Sequence, residues 1–128
     1  MTSILVVEDD PGIRTALIRG LDERGHAVAS VGSGLAALES AVKSRPDVVL
    51  LDLGLPDIDG LQVLGMLRGV SDVPVIVITA QDDDAMVVAA LDAGADDYVV
   101  KPFGLDQIDA AKAKILDGSL TVPFNTTL

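Results

Sequence analysis

The segment "VVEDDP" ends the first apolar run of the chain in three consecutive acids, Glu8, Asp9 and Asp10. Two unit charges about 4 Å apart repel by about 4 kcal/mol at an effective dielectric of about 20. Such crowding persists only where solvent screens it, protonation relieves it or a cation sits there. Other reactive side chains close other apolar runs: Asp52 ends "DVVLLD", Thr79 ends "VPVIVIT" and Lys101 follows "DYVV". Brought to one place, these residues offer carboxylates, a hydroxyl and an ammonium. An oxygen-rich, thiol-free set of this kind suits a hard cation, above all Mg2+, with water filling the remaining positions.

Each acid also has a plainer reading. Asp10, followed by Pro11, is a helix N-cap rather than a ligand. Asp82, Asp83 and Asp84 read as cap and first-turn charges favoured by the helix dipole, and Asp57, Asp59, Asp96 and Asp97 as loop acids. Taken alone, Glu8 and Asp9 fit a solvated loop as well as a metal site. Asp52 differs, because it follows "VVLL" and the chain then re-enters "LGLP". A carboxylate in that setting costs free energy unless it is paired or coordinated, and Lys101 is the natural counter-charge. His26, the only histidine, reads as structural or solvated.

Elements that could gather these residues alternate regularly along the chain. Strands are predicted at Ile4–Glu8, Ala27–Val31, Asp47–Asp52, Val75–Thr79 and Tyr98–Val100. Helices are predicted at Gly12–Arg24, at Ser33–Ser44 with apolar Leu35, Leu38 and Val42, at Asp59–Arg68 with Leu61, Leu64 and Leu67, and at Asp83–Ala93. Nearly unbroken runs such as "PVIVITA" suit strands covered on both faces, hence a parallel sheet. The pattern predicts a doubly wound α/β domain with right-handed crossovers, whose ligands bind beyond the carboxyl ends of the strands.

Composition narrows the classes. The chain of 128 residues is the size of one domain, and it has no cysteine for disulfides or thiolate metal sites. No basic n-region precedes the first apolar run and no stretch is long enough to span a membrane, so a cytoplasmic location is expected. A net charge of −11 argues against direct binding to nucleic acid or anionic lipid. The core must be aliphatic, since Tyr98, Phe103 and Phe124 are the only aromatics.

In order and spacing, "ILVVEDD", "VVLLDLGLPDIDG", "VPVIVITA" and "GADDYVVKPF" resemble the receiver domain of bacterial two-component response regulators, the CheY-like fold, over about residues 3–103. The resemblance implies a flavodoxin-like sheet in the order 2-1-3-4-5. It implies Asp52 as phosphoacceptor, with Asp9, Glu8 and the backbone carbonyl of Gly54 holding Mg2+ together with Asp52. Lys101 would pair with Asp52 and then with the phosphoryl group, and Thr79 would hydrogen-bond a phosphoryl oxygen. Thr79 and Tyr98 match the switch pair, while Gln81 and Gly54 lie where the family tunes its rates. The implied partner is a sensor histidine kinase or a small phosphodonor such as acetyl phosphate. Such a receiver catalyses its own phosphorylation and dephosphorylation and is not otherwise an enzyme.

Two rivals share this geometry. A haloacid-dehalogenase-type phosphatase needs a second Asp two residues after the first, where this chain has Gly54. A flavodoxin needs a hydroxyl- and glycine-rich phosphate loop, which "EDDPG" would repel.

Departures begin after Phe103, so residues 1–104 form the expected receiver body and 105–128 an atypical tail. The tail keeps a helical stripe of Leu105, Ile108 and Ile115, yet Lys112 falls where the family buries an aliphatic residue. Leu120–Val122 reads as a short sixth strand stopped by Pro123, and no output domain is expected. "AAKAKILDGSLTVPFN" faintly resembles the C-terminus of periplasmic type-I solute-binding proteins. A chimeric or engineered scaffold without signalling output is therefore the alternative. Homodimerisation is an expectation too, through the face of the fourth helix, fifth strand and last helix or by swapping the tail.

Overall fold

Branched aliphatic residues dominate the short apolar runs, and they favour extended backbone packed on both faces. A computed structural model describes residues 2–55, 57–79 and 84–100, with Thr79, Asp84 and Val100 described by backbone alone. The order is β1 (Ser3–Val7), α1 (Pro11–Glu23), β2 (Ala27–Val31), α2 (Gly34–Ser44), β3 (Val48–Asp52), α3 (Gly60–Val70), β4 (Val75–Thr79), α4 (Asp84–Asp92) and β5 (Asp97–Val100). All neighbours pair in parallel in the order β2-β1-β3-β4-β5, the CheY-like arrangement that the sequence predicts. No helix among the described residues is long and apolar enough to cross a membrane. Gln81, Asp82, Asp83, Lys101, the stripe from Leu105 to Ile115 and the strand predicted at Leu120–Val122 lie outside the described residues.

Period-two alternation divides the core between the two faces of the sheet. Ile4, Val6, Val48, Leu50, Ile76, Ile78 and Val99 pack with Leu17 and Leu21 of α1. Leu5, Val7, Val49, Leu51, Val75 and Val77 pack on the other side with small and aliphatic residues of α2, α3 and α4. Burying each such aliphatic side chain stabilises the fold by roughly 1.5–3 kcal/mol. Strand β3 is buried at every residue, whereas the edge strand β2 is mostly exposed.

Helix α2 departs from the sequence reading. Its buried face is Gly34, Ala37 and Ala41, while Leu35 and Val42 are 63% and 54% exposed. Close packing explains the reversal: a Cβ at Gly34 would stand 2.5 Å from Cγ2 of Val63 in α3. At that separation only small residues fit against α3, so Leu35 and Val42 turn outward, while Leu38 still packs against the core as expected. Helix α3 also runs beyond its expected end at Arg68 to Val70, where the Ser71 N–H donates to the Leu67 carbonyl.

At the amino-terminal edge of the sheet, Asp96 is more than a solvated loop acid. Its Oδ2 accepts from the Val75 N–H at 2.8 Å and from Arg68 Nη2 at 3.0 Å. Arg68 Nε also donates to the Gly94 carbonyl, and its Nη1 to the Val73 carbonyl at 2.6 Å. One guanidinium thus ties the end of α3 to the start of β4 and to the loop entering β5.

Candidate functional site

Strand register builds the site at the opposite edge. Val7 pairs with Leu51, so Asp52, the last residue of β3, and Glu8, the residue just past β1, lie at the same edge of adjacent central strands. Both are buried, Glu8 at 0% and Asp52 at 5% exposure, the only buried acids among the described residues. Exposed Asp9 completes the group: Glu8, Asp9 and Asp52 each offer a carboxylate oxygen within 4.8 Å of the others. Full charges on the two buried carboxylates at such a spacing repel by roughly 3 kcal/mol at an effective dielectric of about 20, before any counter-charge is counted.

Local hydrogen bonds orient these groups. The Gly54 N–H donates to Asp52 Oδ1 at 3.0 Å, turning the chain back over the carboxylate just after the strand. Glu8 Oε2 accepts from the Asp10 N–H at 3.3 Å. Asp10 itself caps α1, its Oδ1 accepting from the N–H groups of Gly12 and Ile13 at 2.8 and 3.2 Å. Its plainer reading holds.

Thr79 ends β4 at the same edge, one residue past Ile78, the register partner of Asp52. Tyr98 pairs with Val77 on β5 and is 41% exposed. The ends of β1, β3 and β4 thus share one edge, while Tyr98 lies nearer the start of β5. Lys101 and Gln81 fall outside the described residues.

Three further residues frame the site, and the sequence reading gave none of them a role there. Arg14 of α1 donates from Nη1 to the Glu8 carbonyl at 3.4 Å, setting a guanidinium beside the acidic edge. Asp57 was expected to be a loop acid, but its Oδ1 and Oδ2 accept from the Gly34 and Leu35 N–H groups at 2.9 and 3.1 Å, capping α2 from a distance. The Gly34 bond above all, joined by the Leu35 bond, holds this carboxyl below its ordinary range against the opposing effect of desolvation. Gly60 donates to the Leu53 carbonyl, and a Cβ there would lie 2.4 Å from Leu53 Cα. Only "DG" at a helix start hints at that contact; nothing local marks Arg14 or Asp57, whose partners are set by tertiary packing.

Chemically, the cluster is an all-oxygen, largely carboxylate set, the donor type that hard divalent cations prefer over thiolate and imidazole sites. It could hold a metal ion and also presents a carboxylate, that of Asp52, as a nucleophile.

Comparison with known proteins accords with this geometry. The family model described as the response regulator receiver domain matches residues 4–113. The transcriptional regulatory protein KdpE of Mycobacterium tuberculosis is 53% identical over 107 residues, covering 84% of this chain and 47% of the relative. The chain spans about half the length of the curated relatives it matches. Among solved structures, the activated N-terminal receiver domain of Klebsiella pneumoniae RstA superposes with a TM-score of 0.79 at 32% identity, covering 85% of this chain and 97% of that one. The receiver domain of the sensor histidine kinase PA1611 from Pseudomonas aeruginosa, solved with magnesium in its active site cleft, gives 0.81 at 31% identity over 89% of this chain and 97% of that one. With the family model covering most of its length and a relative more than half identical, the chain belongs to the response regulator receiver family.

Proposed function

We propose that this receiver accepts a phosphoryl group on Asp52 in a reaction that depends on Mg2+. The observation that carries the reading is the buried Asp52 carboxylate at the end of the central strand, with the Glu8 and Asp9 carboxylates within 4.8 Å. The proposed cation ligands are Asp9, Glu8, Asp52 and the Gly54 carbonyl. A divalent ion bound there supplies charge neutralisation for the carboxylates and the phosphoryl oxygens.

In the proposed reaction an Asp52 oxygen attacks phosphorus in line. The bond from phosphorus to a phosphohistidine nitrogen of a sensor kinase breaks as the acyl phosphate forms; with acetyl phosphate, acetate leaves. Phosphoryl transfer of this kind needs positioning and electrostatics more than covalent help. Glu8 and the Gly54 N–H hold the geometry of the acidic edge. Lys101 is assigned to the phosphoryl oxygens, as is the Thr79 hydroxyl, and Gln81 and Gly54 to rate tuning. Thr79 and Tyr98 would carry the change to the α4–β5 surface as a population shift, so the chain is a self-modifying switch rather than a turnover enzyme.

The relatives' names point to transcription as the output. A net charge of −11 disfavours contact between this chain and DNA phosphates, so output would pass through protein contacts. The PA1611 neighbour, solved with magnesium in its cleft, supports the choice of ion. A cytoplasmic setting, where a kinase could reach Asp52, belongs to the same reading.

Intact-protein mass after incubation with acetyl phosphate and Mg2+ tests it. One phosphoryl adduct is expected, absent in Asp52→Asn and in EDTA. An adduct that survives Asp52→Asn would sink the assignment, and no adduct on the unaltered chain would favour a scaffold.

A further inference from the structure

The loop of residues 53–59 carries Gly54, whose carbonyl is the one backbone ligand in the proposed cation site. Its base is closed. The Leu53 N–H donates to the Ile78 carbonyl of β4 at 3.1 Å, and Gly60 reaches back to the Leu53 carbonyl at 3.3 Å. The Gly54 N–H, the Leu53 carbonyl and Asp59 join this loop to the adjoining ends of β3 and α3; beyond those flanking elements, Leu53 bonds to β4 and Asp57 bonds twice to α2. The Asp57 grip uses both carboxylate oxygens, on successive N–H groups, so it fixes direction as well as distance. Helix α2 is itself rooted in the core through Ala37 and Ala41.

We infer that Asp57 is a positioning residue for the cation site: by clasping the first turn of α2 it fixes the loop that bears Gly54, and so sets the affinity for the divalent ion. The inference rests on the function proposed above. Magnesium demands near-ideal octahedral geometry at about 2.1 Å, so a small drift of one oxygen is felt in affinity. Outer partners of metal ligands usually matter by tenfold or more.

Ser33 supplies the control. Its Oγ accepts from the Ala36 N–H, capping the same helix, but Ser33 is not part of the loop. Removing either cap weakens α2; only Asp57→Ala also frees the loop.

The experiment measures Mn2+ binding to the whole chain by electron paramagnetic resonance of the free ion, alongside the Mg2+ concentration that gives half-maximal acetyl phosphate labelling. Asp57→Ala should weaken both by roughly tenfold, with the labelling rate at saturating Mg2+ little changed. Asp57→Asn, which keeps one acceptor oxygen, should recover part of the loss, and it carries the test if Asp57→Ala fails to fold. Ser33→Ala should leave both constants unchanged while losing comparable stability to urea. If Asp57→Ala binds Mn2+ within about twofold of Ser33→Ala, the clasp has no role in the site. An unaltered chain that binds no Mn2+ overturns the cation site and this inference together. A chain that binds the ion but is indifferent to Asp57 overturns the inference alone.

Discussion

The two edges of the sheet handle charge in opposite ways. At the amino-terminal edge a cation meets an anion: Arg68 reaches Asp96 at 3.0 Å, and its remaining donors meet the carbonyls of Gly94 and Val73. At the carboxyl edge like charges gather, with Glu8, Asp9 and Asp52 within 4.8 Å. The first arrangement holds elements together. The second gathers like charges at a cost in folding free energy, a cost that the proposed ion site accounts for. Stability and chemistry are thus separated by the length of a strand.

The largest expected effect lies at the stabilising edge. Arg68→Ala leaves the half-buried Asp96 carboxylate with the Val75 N–H but no counter-charge, and takes the guanidinium from the Gly94 and Val73 carbonyls. It should cost about 2–3 kcal/mol in urea unfolding, with the Mg2+ dependence of labelling unchanged. A shift in that dependence would show that the edges are coupled. Next comes the acidic edge. At about ten times its dissociation constant, Mg2+ should stabilise the chain by about 1.4 kcal/mol, lost on chelation with EDTA. Asp9→Asn should abolish that gain and leave the ion-free chain no less stable; a loss of stability would mean that the cluster is structural after all.

The smallest effect concerns Asp57, which is exposed and belongs to neither edge alone. Its folded-state carboxyl lies below the ordinary aspartate value of 3.8. It therefore contributes stability that is present above that value and lost as pH falls through the folded value. Asp57→Asn should lower the neutral plateau slightly and flatten the acid limb below about pH 4, the two profiles converging at low pH, as followed by circular dichroism.

Much of this was legible because it is local. The runs around Val6, Leu50 and Val77 announce buried parallel strands, and the rule that ligands bind past strand ends then selects Glu8, Asp9 and Asp52. Asp10 was readable as a cap because a cap and its helix are neighbours in sequence. The misses are non-local. Leu35 and Val42 mimic a core stripe, and only the closeness of α3 to Gly34 decides that alanines face inward. Asp57 and Asp96 look like ordinary loop acids because their partners, Gly34 and Arg68, lie more than 20 residues away. Periodicity carries no information on such pairs.

Strand β3 is hydrogen-bonded on both sides and buried along its whole length, with Asp52 as its last residue. Fraying begins at exposed edges such as β2, so the backbone beneath Asp52 opens only when most of the domain does. A labile group carried there is shielded from breathing of the sheet. Its lifetime is then set by the water and side chains at the mouth of the site, a kinetic clock that can be retuned without touching the stability of the fold.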